Sequence, residues 1–575
     1  MSTCQFIPPD ASLPHQICRA TGDGLQLTSA WDTAEDEEYL LGSLKTASGG
    51  VTAAQALEAM RRQGPQGWNK LEGGFAIVWL QRRTGQVSLA TDRFAFSELF
   101  LAAQNGKLVF APSLSALLAL PELSRELSPA GLSDYLGLGY VTAPTTIYRQ
   151  IWRVPSATAC TFDAGSTTPR LERFWLPDYT ARENLSWEQT LATAKDKIRN
   201  LLTSAMQRRK AAVLLSGGID SSLLTALSCD LGCPPAAAFT ASYGDALYDE
   251  GSLAAQVAAR YHLPHRECRV TPDALASVLK LQREYGEPFA DSSLLALSAL
   301  LREVKDAGFD SVLCGDGGDE LFGGYRRYQA MIWRHSLGGV PAALGGLTGK
   351  LLLPLLPSPR DNRSRLANFT RSLRSLALPP IQAYTSFQEL FSREMRQQLL
   401  VEYPATDFLA TWQDEAKTIT IKDRVELYNG LDLLHYLPED GCRKGLGANL
   451  QTQVTCLMPL LSASLLDWAM TLPRQYKTTR QATKFILRAI GADYLPEPLL
   501  ARRKTGFGIP LAAWLRGPWS DQLRWLVEDA PQWDANKLFN HQFIKRLVEE
   551  HLEGRANHDD RLWSLLLLAH WRQEN

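Results

Sequence analysis

The stretch AAVLLSGGIDSSLL, residues 211–224, constrains the fold more than any other part of the chain. An apolar run breaks into a turn of glycines, serines and an aspartate, and apolar spacing then resumes. This pattern predicts a buried strand, a tight turn and the start of a helix. Apolar runs at 236–244 and 311–320 continue a strand–helix alternation. The alternation predicts a parallel, doubly wound sheet, in which ligands bind beyond the carboxyl ends of the strands.

The first 180 residues have a different character, with short β-type runs separated by turn signals. A first pair of strands is predicted around a Thr84-Gly85 turn. The predicted strands of this region lie within residues 73–94, 106–113 and 155–175.

A long amphipathic helix is predicted over 186–209, with Ser186 as its N-cap. After about residue 330 the pattern is largely helical. Because 575 residues are too many for a single core, we predict two domains, 1–183 and 184–575. The fold class is therefore α/β plus α+β, with a β-rich sandwich domain followed by a parallel-sheet domain that carries a helical extension.

Charge and composition exclude several classes of partner. The chain has 60 Lys+Arg and 61 Asp+Glu, a net charge of −1, so nothing indicates binding to nucleic acid or to an anionic membrane. The most apolar stretch, 337–357, is interrupted by Lys350 and by prolines and predicts no membrane span. Nine scattered cysteines and no pattern typical of a secretory signal lead us to expect a cytoplasmic protein.

The turn after residue 215 is suited to binding anions. Glycines allow the backbone to approach a ligand closely, the following helix offers free N–H groups, and Ser216, Ser221 and Ser222 add hydroxyl donors. No Lys-Ser/Thr follows the glycines, so this is not the Walker pattern. Asp220 would repel a phosphate unless Mg²⁺ lay between them. The alternative is a glycine-rich helix start with a capping serine.

Two more glycine-rich loops bring charged residues. CGDGGDELFGGY, residues 314–325, places three acids (Asp316, Asp319 and Glu320) after a predicted strand. These acids repel one another unless a cation sits among them. RRKTGFGIP, residues 502–510, is a basic loop that could neutralise charge as pyrophosphate leaves. The alternatives are a solvated acidic turn and a solvated basic loop.

Taken together, these motifs resemble the asparagine synthetase family. SGGIDSS resembles the pyrophosphate loop of N-type ATP pyrophosphatases, and residues 71–175 resemble the family's glutaminase-like, Ntn-hydrolase-like N-terminal domain. The resemblance covers roughly residues 70–570, and its motifs, in chain order, are SGGIDSS, YGEPFADSS, GDGGDELFGGYRRY, TKFILR and RRKTGFGIPLAAWLRG. It implies an enzyme that uses ATP and Mg²⁺ to adenylate a carboxylate, releasing pyrophosphate. A nitrogen nucleophile then displaces AMP.

The resemblance also implies a role for particular residues. Asp220 and Asp319 would bind magnesium. Lys504 would stabilise the transition state, while Asp316 and Asp440 would be acids or bases near the reacting carbonyl and the acceptor. The residues implied to contact ATP or pyrophosphate are Leu214, Ser216, Gly217, Gly218, Asp220, Ser221, Cys314, Gly315 and Lys484.

The N-terminal region departs from the family pattern. Glutamine-dependent members begin Met-Cys-Gly-Ile, and their terminal cysteine attacks glutamine, whereas this sequence begins Met-Ser-Thr-Cys-Gln. The Arg-Gly-Pro-Asp and Asn-Gly-Glu stretches that grip glutamine in the family are missing as well. We therefore expect a glutaminase-like fold without glutaminase activity, and we interpret Cys4 as an ordinary residue.

A second departure lies in YLPEDGCRKGLGANLQTQVTCLMPLLSAS, residues 436–464. Lys444 matches the family, but an Asp-Arg pair is replaced by Leu446-Gly447, a Glu-x-Arg stretch by Thr455-Cys456-Leu457, and a final Asp by Ser462. A small, doubly charged acid such as aspartate needs charged partners. The neutral stretch therefore favours another substrate, unless the lost charges were structural.

These observations leave three functions open. The first is an amide-forming ligase that resembles asparagine synthetase and uses free ammonia. The second is a cyclase of the β-lactam synthetase or lasso peptide type, in which the substrate supplies its own amine and a maturation partner protein is expected if the substrate is a peptide. The third is a nucleotide-binding family member without catalysis. We expect a small-molecule or peptide carboxylate as substrate, and no nucleic acid or membrane as partner.

Overall fold

The structure is a computed structural model. It describes the strands at residues 4–6, 36–42 and 45–46, residue 68, and residues 71–574 apart from 82–83, 85, 105–106, 164–165, 167, 208, 246–247, 337–355, 357–364, 403, 405–406, 503–505 and 507. Most of the apolar stretch 337–357 therefore lies outside the described residues. Among the helices that are described, none has the length and apolar character needed to cross a membrane.

Two sheets form the N-terminal region. One has the order β1-β8-β7-β9 and the other the order β11-β10-β6-β5-β2, while β3 and β4 form a separate small ladder. The predicted pair around Thr84 is the β5–β6 hairpin, and the pair predicted within 155–175 is β10–β11. The strands are β1 Cys4–Phe6, β2 Asp36–Gly42, β3 Lys45–Thr46, β4 Leu71–Glu72, β5 Phe75–Gln81, β6 Gln86–Thr91, β7 Phe100–Gln104, β8 Lys107–Ala111, β9 Ile151–Arg153, β10 Thr158–Phe162 and β11 Arg170–Arg173.

Side-chain alternation makes these two sheets a sandwich. Ala76 and Val78 of one sheet share a core with Leu101 and Phe110 of the other, so the inner faces pack together. The intervening side chains, such as Phe75, belong instead to the large core that continues into the rest of the molecule. The sandwich predicted for this region is therefore present.

A five-stranded parallel sheet forms the centre of the C-terminal region, with the order β14-β13-β12-β15-β16. The parallel sheet expected from the strand–helix alternation is confirmed. Neither edge strand was predicted, because residues 265–269 are largely polar and residues 455–457 are too few to carry a periodic signal. The five strands are β12 Ala212–Leu214, β13 Ala238–Ser242, β14 His265–Arg269, β15 Ser311–Leu313 and β16 Thr455–Leu457.

Helices cover this sheet and form most of the chain after residue 320. The predicted amphipathic helix is α3, and Ser186 caps it in a reciprocal capping box with Gln189. The helices are α1 Leu114–Leu118, α2 Pro129–Leu138, α3 Trp187–Met206, α4 Ile219–Asp230, α5 Gly251–Arg260, α6 Leu275–Tyr285, α7 Ser293–Asp306, α8 Gly318–Phe322, α9 Arg326–Ser336, α10 Arg365–Leu376, α11 Pro380–Thr385, α12 Arg393–Leu399, α13 Phe408–Glu415, α14 Arg424–Leu431, α15 Arg443–Thr452, α16 Ala463–Thr471, α17 Arg474–Lys477, α18 Phe485–Gly491, α19 Glu497–Ala501, α20 Leu511–Arg516, α21 Ser520–Glu528, α22 Ala530–Trp533, α23 His541–Leu552 and α24 Asp559–Glu574, with short 3₁₀ turns at Pro272–Ala274 and Pro459–Leu461.

A π-helix, Asp432–Cys442, joins α14 to α15 without a break. Pro438 lies inside it; proline has no backbone N–H to donate and clashes with a regular α-helical turn. The wider turn is buried over most of its length. It carries Asp440, which the resemblance implies to lie near the acceptor.

Candidate active site

The loops that follow the carboxyl ends of β12 and β15 border a cavity of about 170 Å³. This is the edge of the sheet at which a ligand was expected. Strand β13 and helices α7 and α15 complete its wall. The cavity is lined by Leu214, Leu215, Ser216, Asp220, Ser221, Phe239, Thr240, Ala241, Leu297, Leu300, Cys314, Gly315, Asp316, Asp319, Gly441, Lys444, Gly445, Cys456 and Met458.

The loop after β12 is held in shape by its own serines. The Ser216 amide donates to Ser221 Oγ at 3.1 Å, the two hydroxyl oxygens are also 3.1 Å apart, and the Gly218 amide donates to Ser216 Oγ at 3.3 Å. Gly217 has φ +63°, and a Cβ there would lie 2.8 Å from the Glu250 carbonyl oxygen. Gly218 is the N-cap of α4, so the first N–H groups of that helix open beside the serine hydroxyls.

The loop after β15 packs directly on this first loop. A Cβ at Gly315 would lie 2.8 Å from the Ser221 amide nitrogen, and one at Gly318 would collide with the Asp220 carboxylate. Glycines at these two positions therefore allow Asp220 and Asp319 to enter the same small volume. The sequence predicted that both loops share one sheet edge, and the structure brings them into contact.

Lys484 lies between these two carboxylates. Its Nζ forms ion pairs with Asp220 and with Asp319, the latter at 2.7 Å, and its side chain is only 4% exposed. Lys484 was predicted only as a phosphate contact. Two neighbouring carboxylates repel each other when both are charged, and the Lys484 ammonium between Asp220 and Asp319 offsets this repulsion.

The same carboxylates fit a divalent cation. Asp220 Oδ1 is buried with no hydrogen-bond partner among the described residues, and oxygen is the ligand that Mg²⁺ prefers. The described residues contain no group of three His, Cys, Asp or Glu side chains able to hold a metal. Two carboxylates would therefore hold Mg²⁺ only together with oxygens of a bound phosphate, which is how Mg²⁺ is commonly bound beside nucleotides.

Another part of the cavity wall is apolar and neutral. Leu214, Leu297, Leu300 and Met458 contribute side chains, and the thiols of Cys314 and Cys456 are in contact. The contact with Cys456 and burial together raise the pKa of the Cys314 thiol well above its ordinary value. Neutral thiols and aliphatic groups suit the flat apolar faces of a base such as adenine.

Charged groups gather around Lys444, which also lines the cavity. Its Nζ lies 2.9 Å from Asp291 Oδ2. Burial opposes ionisation of Asp291, but the pairing with Lys444 offsets it, so the pKa of Asp291 is lowered. Burial and the nearby Asp291 charge raise the pKa of Asp440 to about 7, although Lys444 acts in the opposite direction. Asp440 does not line the cavity itself but lies beside Gly441, which does.

The structure brings most of the predicted site residues together around the cavity. The predicted residues in the cavity wall are Leu214, Ser216, Asp220, Ser221, Cys314, Gly315, Asp316 and Asp319. Gly217 and Gly218 shape the turn behind the wall, and Lys484 bridges its two acids. Lys504 lies outside the described residues. Sequence reasoning did not select Asp291 or Lys444 as site residues, although Asp291 stands in the motif YGEPFADSS and Lys444 matches the family.

The neutral stretch is also visible in the structure. A Cβ at Gly447 would lie 3.3 Å from the Tyr285 ring, so the backbone of α15 packs close to that ring. Thr455 and Leu457 belong to β16, at the edge of the parallel sheet.

Comparison with known proteins identifies two matching families. Residues 197–573 match the family described as asparagine synthase, and residues 45–175 match the glutamine amidotransferase domain. A putative asparagine synthetase (glutamine-hydrolyzing) of Mycobacterium tuberculosis H37Rv is 26% identical over 543 residues, 92% of this chain and 81% of that protein. Asparagine synthetase (glutamine-hydrolyzing) 1 of Bacillus subtilis 168 is 24% identical, covering 88% of this chain and 78% of its own. Amidase chry2 of Gibberella zeae is 25% identical, covering 45% and 41%.

Proposed function

Because the chain belongs to the asparagine synthase family, we propose that it is an ATP-dependent carbon–nitrogen ligase that adenylates a carboxylate and transfers the acyl group to a nitrogen nucleophile. One observation carries this proposal. The serine loop, the Asp220–Lys484–Asp319 bridge and the Asp291–Lys444 pair meet around a single cavity at the carboxyl edge of the parallel sheet. Such a site joins an anion cradle to a charged region where a second reactant can be held.

In the first half-reaction, a carboxylate oxygen attacks the α-phosphorus of ATP and pyrophosphate leaves. Ser216, Ser221 and the amides at the start of α4 would bind the leaving pyrophosphate. Mg²⁺, held by Asp220 and Asp319, would neutralise charge on the phosphates. Lys504 keeps the role that the resemblance implies, stabilising the transition state from the basic loop.

In the second half-reaction, an amine attacks the acyl carbon, AMP departs and the nitrogen loses a proton. Asp316 lines the cavity, and Asp440 lies just behind it with a pKa of about 7. A carboxyl group that titrates near neutral pH can accept a proton under working conditions. We propose that these two acids accept the proton, while the positive charge of Lys444 offsets their negative charge.

We also propose that the N-terminal region, residues 1–183, is a glutaminase-like domain that does not hydrolyse glutamine. The glutamine-gripping Arg-Gly-Pro-Asp and Asn-Gly-Glu stretches are missing from its sequence, and this supports the proposal. The nucleophile would then be free ammonia or an amine of the substrate. Seven of the cysteines in the described residues are free thiols, which supports a reducing compartment such as the cytoplasm.

A cyclase that closes a lactam within one substrate is the second candidate. The glycine at position 447 favours it, because the resemblance implies an arginine there and none is present to bind a small diacid such as aspartate. An amine held in the same molecule also gains from a high effective concentration. If the substrate of such a cyclase is a peptide, we expect a maturation partner protein as well.

The test is release of AMP and pyrophosphate by the purified full chain with ATP, MgCl₂, aspartate and ammonium chloride, repeated with glutamine in place of ammonium. Turnover with ammonium alone supports an ammonia-dependent synthetase. Equal turnover with glutamine contradicts the loss of glutaminase activity. ATP binding without turnover in either mixture favours the cyclase, and absence of ATP binding contradicts the ligase proposal.

A further inference from the structure

Four buried charged side chains and the partly buried Glu98 connect the N-terminal sandwich to the acceptor side of the candidate site. Glu98 precedes β7 and Arg153 ends β9, whereas Glu287, Glu439 and Arg443 belong to the C-terminal region. The side chains of Arg153 and Arg443 are 4% and 1% exposed, and that of Glu287 is fully buried. We call these five residues the buried charge network.

Contacts within the network run in a chain from one region to the other. Glu98 Oε1 is 2.9 Å from Arg153 Nη1 and 3.2 Å from Arg443 Nε, so one carboxylate joins both guanidinium groups. Arg153 also forms an ion pair with Glu439, and Arg443 forms one with Glu287.

Backbone groups from the N-terminal region complete this arrangement. Glu439 accepts the Ala143 amide at 3.1 Å, and Glu287 accepts the Ile147 amide at 3.0 Å. Arg153 Nη2 donates to the Val141 carbonyl at 2.8 Å. Buried charges persist only when they are paired and hydrogen-bonded, so these contacts hold both regions in one geometry.

The network reaches the site through sequence adjacency. Glu439 is followed by Asp440, and Arg443 is followed by Lys444. Within the continuous helix formed by the π-helix and α15, the pair Glu439 and Arg443 contacts the N-terminal region, while Lys444 pairs with Asp291 and lines the cavity. Any rotation of this helix would therefore move both sets of residues together.

We propose that Glu98 and Arg153 are positioning residues for amide formation, fixing the helical segment 432–452 so that Asp440 and Lys444 face the acyl group. In this arrangement the N-terminal sandwich serves the synthetase site even without glutaminase chemistry. The kinetic part of this inference rests on the proposed function; the mechanical part does not.

Hydrogen–deuterium exchange of the full chain tests the mechanical part without any substrate. Glu98→Gln removes one of three carboxylates and leaves each arginine with a glutamate. We expect amides within 432–452 to exchange about five- to tenfold faster, since a lost hydrogen bond to a charged group lowers the local opening free energy. Exchange within 212–230 should not change. Asp467→Asn is the matched control, because it breaks a different ion pair between the two regions, Arg93–Asp467 at 2.7 Å, whose residues do not belong to the network.

Unchanged exchange in 432–452 for Glu98→Gln, or equal acceleration by Asp467→Asn, would overturn the proposal. If Glu98→Gln does not fold, Glu98→Asp, which keeps the charge with a shorter reach, takes its place, and a smaller acceleration in the same segment is expected.

Kinetics test the positioning role with ATP, aspartate and ammonium as probes. Glu98→Gln should keep ATP–pyrophosphate exchange within about twofold while amide formation falls about tenfold, because only the second half-reaction uses the acceptor side. Glu98→Asp should recover part of that rate. An equal fall in both half-reactions would overturn positioning. If the unaltered protein binds ATP but shows neither half-reaction with these probes, its acid or amine is a different one, as for the cyclase; if it binds no ATP, the proposed function fails. In both cases the exchange measurement still decides whether the network holds the segment.

Discussion

Replacement of Lys484 by methionine is the most informative perturbation of the candidate site. Lys484 pairs with Asp220 and Asp319, and the three side chains are 4%, 12% and 14% exposed. Removing one partner of a buried ion pair leaves uncompensated charge and costs about 3–5 kcal/mol. We therefore expect Lys484→Met to lower the melting temperature clearly in EDTA.

Magnesium should then restore much of that loss, because the two bared carboxylates become a better cation site. A ligand present at 100 times its Kd stabilises the folded state by about 2.7 kcal/mol, more than half of the expected cost. In the unaltered protein Lys484 already occupies this position, so Mg²⁺ without nucleotide should shift the melting temperature little. The measurement is thermal unfolding of both proteins in EDTA and in a MgCl₂ titration.

Lys477→Met is the matched control. Lys477 is also buried, but its Nζ donates to the Ala469 carbonyl at 3.1 Å and burial lowers its pKa to about 8. No carboxylate pair is bared by its removal, so no rescue by Mg²⁺ is expected. Equal rescue of both variants, or none for Lys484→Met, would refute the reasoning that Asp220 and Asp319 form a cation site.

Three further predictions concern the rest of the site. Ser221→Ala should reduce ATP–pyrophosphate exchange by at least about tenfold while lowering the free energy of unfolding, measured in a urea titration, by only about 1 kcal/mol. The change removes one neutral hydrogen-bonding hydroxyl beside the leaving group. An unchanged exchange rate would contradict the role of the serine loop in binding pyrophosphate. The rate of amide formation should rise with pH with a midpoint near 7, since the raised pKa of Asp440 keeps that carboxyl protonated at lower pH. Asp440→Asn should abolish this rising limb of the pH–rate profile. Gly315→Ala should destabilise the fold by about 1–3 kcal/mol, because its Cβ would lie 2.8 Å from the Ser221 amide nitrogen, which is part of the backbone. Thermal unfolding can detect this loss, and a neutral result would show that the two loops separate freely.

The sequence alone determined the strand, turn and helix at 211–224, because apolar spacing and glycine are local signals. It also placed Asp220, Asp316 and Asp319 at one edge, since the carboxyl ends of parallel strands meet there. The family resemblance added Lys484 and Lys504 as site residues without indicating that Lys484 bridges two acids.

Only the tertiary structure decided the contacts between distant segments. Strand β16 is three residues long and gains its β-structure from pairing with β15, not from its own pattern. Arg153 meets Glu439 across 286 residues of chain, and no local signal marks either residue as a partner of the other. Pairings of this kind depend on how the sandwich packs against the π-helix. A buried charge is stable only beside a partner, and the position of that partner depends on the packing of distant segments, which the local sequence does not indicate.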